Sequence, residues 1–214
     1  MIVATLVSTL VSIVVVKGFI LFEFQLNVFL YNTSPNLIYL YIPSEDSYLL
    51  AKTVKHYTGK CALEIGVGSG IILDKLCDSF RFVIGTDIHF NSLIYCLNNL
   101  SKKVTLICCD AASAIAAKFD LIVSNPPYIP QDDIGITDST IYGGLYGSEL
   151  ALHFIRSSVS LLDVEGKILV VLSDLSNIMK INSFTEKMNL EIRIVGKKKI
   201  FFETLYVYEI SNKL

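Results

Sequence analysis

Lys60-Cys61-Ala62-Leu63-Glu64-Ile65-Gly66-Val67-Gly68-Ser69-Gly70 is an apolar run that ends in three alternating glycines. A short apolar run closed by turn residues reads as a strand buried on both faces. The stretch that follows, through about Cys77, has a helical pattern. Glycine adopts backbone conformations closed to other residues and lets a ligand approach the main chain closely. Strand, glycine turn and helix together open a parallel sheet, in which each new strand is reached by a helical crossover.

The same alternation continues downstream. Arg81–Gly85 reads as a second strand ending at Thr86-Asp87-Ile88, followed by a helix over Ser92–Leu100. Val104–Cys109 reads as a third strand, closed by Asp110-Ala111, and Phe119–Val123 as a fourth. Gln131–Gly147 reads as a loop carrying Asp132, Asp133, Gly143, Gly144 and Gly147. A helix over Ser148–Leu162, a fifth strand over Lys167–Leu172 and a helix near Ser176–Met188 come next. The closing strands Leu190–Val195 and Phe201–Ile210 are expected to join through a turn at Gly196–Lys199. Upstream, Ser44-Glu45-Asp46-Ser47 reads as a helix start with acidic residues in its first turn, leading into a helix over Tyr48–His56. The expected fold is α/β, a doubly wound sheet with a C-terminal antiparallel hairpin.

A chain of 214 residues can bury one sizeable core and carry an appendage. Its hydrophobic share is 52% and its mean hydropathy +0.56, so part of it is unusually apolar. The net charge of −2 gives no overall basic field to draw in nucleic acid. Cys61, Cys77, Cys96, Cys108 and Cys109 show neither CxxC nor Cys/His ligand spacing. They read as small buried hydrophobes in a reducing compartment, and no metal site is expected. Met1–Val16 is almost wholly apolar, with Thr5, Ser8, Thr9 and Ser12 forming one stripe if it is helical, and Phe22–Val28 alternates like a strand. A spanning helix needs ~20 apolar residues, a length reached only by including Lys17. Three readings of residues 1–36 stay open: a membrane helix, a packed apolar extension, or a start assigned too far upstream. Residues 37–214 form the expected catalytic domain, in the cytoplasm, with a membrane contact by the N-terminus left open.

The chemistry gathers where the strands end. Ser124-Asn125-Pro126-Pro127-Tyr128-Ile129-Pro130 leaves the fourth strand through adjacent prolines, which lack backbone N–H groups and so leave acceptors dominant. The Asn125 side-chain oxygen and the Pro126 carbonyl can converge on one NH2 group, with Tyr128 supplying a flat face for a planar amide or base. Glu64, Asp87 and Asp110 end three successive strands, where parallel sheets bind ligands. Asp87 suits a ribose diol and Asp110 an adenine amine. His56, His89 and His153 have no partner at nucleophile or metal spacing and read as structural, and Lys197-Lys198-Lys199 reads as a solvated hairpin tip.

The order Glu64-x-Gly66-x-Gly68-Ser69-Gly70, then Thr86-Asp87, Asp110-Ala111 and Asn125-Pro126-Pro127-Tyr128 resembles the class I S-adenosylmethionine-dependent methyltransferases. More narrowly it resembles the HemK/PrmC-type protein-glutamine N5-methyltransferases, in the short form of archaea and eukaryotes. Tyr41-Ile42-Pro43-Ser44-Glu45-Asp46-Ser47-Tyr48-Leu49-Leu50 is similar to that group's lead-in motif, and Tyr142–Gly147 to its glycine pair. The resemblance covers Tyr39 to the C-terminus. It implies a seven-stranded Rossmann-like sheet with helices on both faces, and S-adenosyl-L-methionine contacts from Ser47, Glu64, Gly66, Gly68, Gly70, Asp87, Asp110, Ala111 and Asn125. The catalytic loop would be Asn125, Pro126, Pro127 and Tyr128. The implied substrate is the glutamine of the Gly-Gly-Gln motif in a class-1 release factor. Methylation of adenine or another exocyclic amine of RNA or DNA is the alternative. The resemblance also implies a small zinc-binding activator as partner, and Val104–Cys109, read as an edge strand free of charge, is the surface expected to receive it unless a local helix or the N-terminal extension covers it.

Overall fold

The computed structural model describes residues 13–16, 19–20, 41–102, 104–131 and 141–213. The elements are β1 (Ile13–Val16), β2 (Phe19–Ile20), α1 (Glu45–Val54), β3 (Gly59–Ile65), α2 (Ile71–Leu76), β4 (Phe80–Asp87), α3 (Phe90–Asn99) and β5 (Thr105–Cys108). They continue with β6 (Phe119–Ser124), α4 (Glu149–Ser158), β7 (Leu162–Ser173), α5 (Met179–Lys187), β8 (Leu190–Lys199) and β9 (Thr204–Asn212). One sheet holds all the described strands in the order β2-β1-β5-β4-β3-β6-β7-β9-β8. From β5 to β7 neighbouring strands are parallel, while β9 runs antiparallel to both β7 and β8. The seven strands β3–β9 are the expected sheet with its closing hairpin.

Alternation along the central strands builds the two faces. Ala62, Leu121, Val123, Leu169, Val171, Leu205 and Val207 pack on one side with Leu50, Val54, Leu73, Leu76 and Leu93 of α1, α2 and α3. Their strand neighbours Leu63, Ile122, Ile168, Val170 and Ile210 pack on the other with Ala151, Ile155 and Ile181 of α4 and α5. Period-two side chains on a pleated strand leave no other partition once helices cover both faces. The glycine turn depends on this packing: Gly70 caps α2 at φ +79°, and a Cβ there would lie 2.9 Å from Cys96 Sγ on α3.

Three expectations change. The strand Thr105–Cys108 is not at an edge, because β1 pairs with it antiparallel from Ile13↔Cys108 to Val16↔Thr105 and β2 lies outside β1. An uncharged apolar strand is a ready template for another strand, and the chain supplies that strand itself. The closing hairpin turns later than expected. Gly196 marks a register shift within β8 instead of a turn, and Ile200–Glu203 reverses the chain, with the Ile200 N–H donating to the Glu203 carbonyl. Lys197, Lys198 and Lys199 therefore lie on the strand, where Lys198 pairs with Glu45 and Lys197 lies over the Tyr206 ring. The tip consists of Phe201 and Phe202, which are 93% and 87% exposed. The first helix begins at Glu45, because the acidic residues themselves form its opening turn behind the extended Ser44.

The small-polar stripe at Thr5–Ser12, the alternating stretch Phe22–Val28 and the loop acids Asp132 and Asp133 lie outside the described residues. Among the described residues, no helix is long and apolar enough to cross a membrane.

Candidate active site

At the carboxyl ends of β3, β4 and β6 the sheet opens into a cavity of about 610 Å³. Parallel strands place their carbonyl ends and the following helix N-termini on one side, which is why such sheets bind ligands there. Ser47, Glu64, Gly66, Gly68, Asp87, Asp110, Ala111, Asn125, Pro126, Pro127 and Tyr128 all line it. Gly70 does not; it is the hinge between the glycine turn and α2.

The glycine turn is fastened to its neighbours. The Gly66 and Val67 N–H groups both donate to the Thr86 carbonyl, and the Gly68 N–H donates to Asp87 Oδ2 at 3.2 Å. Asp87 Oδ1 accepts from the His89 N–H at 2.8 Å, so the carboxylate is fixed but keeps lone pairs for a ligand. Burial pushes the Asp87 carboxyl above its usual range, and the His89 and Gly68 N–H groups oppose the shift. Burial also pushes the Glu64 carboxyl up, against a hydrogen bond from the Leu73 backbone. Its Oε2 is buried without a partner. A buried orphan oxygen is costly and marks a place where a ligand donor would fit.

Asp110 is half exposed, and its Oδ1 lies 2.8 Å from His153 Nε2 on α4. His153 thus has a partner that its sequence neighbours do not show. The pair joins residues 43 positions apart, a separation no local pattern reports. Next to it, Ala111 holds φ +47°, an uncommon conformation for a residue with a Cβ and one that concentrates at functional sites.

The loop after β6 is pinned at several points. Ser124 Oγ donates to the Ile65 carbonyl at 2.9 Å, and Ser176 Oγ donates to the Tyr128 carbonyl at 2.9 Å. Ile129 and Tyr142 form a parallel bridge, in which the Gly143 N–H donates to the Ile129 carbonyl. A Cβ on Gly143 would come within 2.4 Å of the Pro127 carbonyl oxygen, so glycine is required beside the prolines. Asn125 Nδ2 donates to Ser47 Oγ at 3.3 Å, while Asn125 Oδ1 is buried with no partner. Tyr128 packs into both cores, and burial raises its hydroxyl pKa, with the Asp46 and Glu203 carboxylates adding to the shift.

Tyr41 and Asp46, both in the lead-in motif, line the cavity beside the loop. Asp46, only 3% exposed, accepts from the Tyr41 hydroxyl at 2.6 Å and from the Ser47 hydroxyl at 3.1 Å. In sequence Asp46 reads as one of two acids in a helical first turn, a position normally solvated. Among the described residues, no group of His, Cys, Asp and Glu side chains is placed to hold a metal ion.

Residues 81–202, more than half of the chain, match the family described as Eco57I restriction-modification methylase. A Methanocaldococcus jannaschii protein named a protein N5-glutamine methyltransferase is 29% identical over 176 residues, covering 78% of this chain and 89% of that one. A release factor glutamine methyltransferase of Bradyrhizobium diazoefficiens is 40% identical over 78 residues, 33% of this chain and only 26% of its own length. Among solved structures, the E. cuniculi Mtq2-Trm112 complex, described as responsible for methylation of the eRF1 translation termination factor, aligns with TM-score 0.67 and 24% identity. It covers 81% of this chain and 99% of the matched one. The expected class I sheet and the expected kinship with glutamine methyltransferases both agree with these likenesses. The chain belongs to the family of Eco57I restriction-modification methylases and is a methyltransferase.

Proposed function

We propose that the chain transfers a methyl group from S-adenosyl-L-methionine to the side-chain amide nitrogen of a glutamine, the one in the Gly-Gly-Gln motif of a class-1 release factor. The observation that carries this reading is the buried, unpartnered Asn125 Oδ1 beside Pro126 and Tyr128. An acceptor left unpaired in a pocket asks for a donor, and an amide NH2 supplies two hydrogens. The names of the Methanocaldococcus and Bradyrhizobium relatives support the same substrate class. Residues 37–214 are the catalytic domain in this reading, acting in the cytoplasm where translation ends.

The cofactor fits the residues present. Glu64 and Asp87 offer buried carboxylate oxygens for its hydroxyl and amine donors, the glycine turn leaves room for its backbone-hugging part, and Asp110 with Ala111 would meet its adenine. When bound, it would supply an electrophilic methyl group, and the amide nitrogen that receives the methyl would give up one proton to solvent. Asn125 Oδ1 and the Pro126 carbonyl each accept one N–H, which aims the nitrogen lone pair and favours the positive charge that grows on it. Tyr128 holds the amide plane by packing.

A small activator protein is the proposed partner, on the strength of the Mtq2-Trm112 likeness. The family's description favours a second reading, methylation of an exocyclic base amine, which uses the same acceptors. The net charge of −2 counts against it, since phosphate binding is carried by clustered basic residues. Labelled S-adenosyl-L-methionine offered with release factor, bulk tRNA and duplex DNA in parallel separates the two. Label on the release factor is expected, and label on nucleic acid alone would replace the glutamine reading.

A further inference from the structure

We infer that Asp46 sets the direction of the hydrogen bonds that end at Asn125, and so decides which end of the Asn125 amide faces the substrate. The inference rests on the reading above, in which that amide accepts from a substrate NH2.

A carboxylate only accepts hydrogen bonds. Asp46 Oδ2 takes the Tyr41 hydroxyl proton at 2.6 Å, and Oδ1 takes both the backbone N–H and the hydroxyl proton of Ser47. The single hydroxyl hydrogen of Ser47 is therefore committed, and what its oxygen has left is lone pairs. Those lone pairs accept from Asn125 Nδ2 at 3.3 Å. With its nitrogen held, the amide must turn its oxygen to the cavity, where Oδ1 stands buried and unpartnered. Reversing the chain shows what Asp46 prevents. A Ser47 hydroxyl free to donate would bond Asn125 Oδ1, swing the NH2 group into the cavity and set donors against the donors of the substrate. Asp46 is 3% exposed and acts through Ser47, so it is a positioning residue. Neither sequence spacing nor the comparisons assign it this part.

Side-chain amide hydrogen exchange of Asn125, read by NMR on the full chain with cofactor bound, tests the relay without reference to any substrate. Slow exchange is expected in the wild type, and exchange at least ~10-fold faster in Asp46→Ala and in Ser47→Ala. Asp46→Asn is expected to keep the protection, because the Ser47 N–H still demands a carbonyl oxygen on its side. With a Gly-Gly-Gln peptide, Asp46→Ala should lose about 100-fold in kcat while cofactor affinity changes by less than about threefold. Asp46→Asn should recover most of that rate. Equal exchange in the wild type and Ser47→Ala overturns the inference, as does a loss of rate in Asp46→Asn as deep as in Asp46→Ala, which would assign the effect to charge. If Asp46→Ala does not fold, Ser47→Ala decides the exchange experiment alone. If the wild type fails to methylate the peptide, the glutamine reading falls and the exchange result still judges the relay.

Discussion

Glu64 and Asp87 hold carboxyl groups that burial has made weaker acids, and this ties the ligand-free protein's stability to pH. For Glu64 the folded pKa lies above the unfolded one, so its contribution is fully present below about pH 4.5 and lost as pH rises toward the folded value. Glu64→Gln removes that loss while an amide oxygen can still accept from Leu73. The substitution should therefore raise the melting temperature of the ligand-free chain at about pH 8 and change it little at about pH 4. In a chain of this size each kcal/mol moves the melting temperature roughly 2–4 °C. The same variant should bind cofactor more weakly, since the orphan Oε2 becomes a donor. A scan with equal shifts at both pH values would show that ionisation of Glu64 plays no part. At this scale the sequence was readable where chemistry is local: acids at strand ends and prolines after a strand announce themselves. The contacts of Asp46 with Tyr41 and of His153 with Asp110 were not, because burial and long-range pairing are set by the fold.

Among the elements, the catalytic loop and the Tyr142–Gly147 segment form one unit, since a Cβ on Gly143 or Gly147 would strike the backbone of residues 127–130. Gly143→Ala should drive the Pro127 carbonyl away and cost at least ~10-fold in kcat/KM, with far-ultraviolet circular dichroism unchanged. Unaltered turnover would mean the loop moves freely of its neighbour. The edge of the sheet gives a second expectation. β1 lies between β2 and β5, and proline is poorly tolerated inside a ladder. Val15→Pro should speed amide exchange in Thr105–Cys108, and no change there would contradict the pairing. The misread hairpin has a plain cause. Gly196 followed by three lysines has the composition of a turn, yet a single extra residue in β8 uses the glycine as a bulge and the strand runs on. The true turn, Ile200–Glu203, is apolar and carries no turn signature.

In the molecule as a whole, the doubly wound α/β class with its closing antiparallel hairpin was legible from the alternation of apolar runs and helices. The sheet's outer edge was not, because pairing of β1 with β5 joins segments about ninety residues apart and leaves no mark in either. That pairing bears on partnership. A partner that adds a strand to β5 would have to displace the chain's own β1. Release factor produced together with the wild-type chain, and separately with Asn125→Ala, can be digested and the methyl group located by tandem mass spectrometry. The expected result is one added methyl on the side chain of the Gly-Gly-Gln glutamine with the wild type and none with Asn125→Ala. A methyl group on any other residue, or on the same glutamine at full yield with Asn125→Ala, would contradict the assignment of this site.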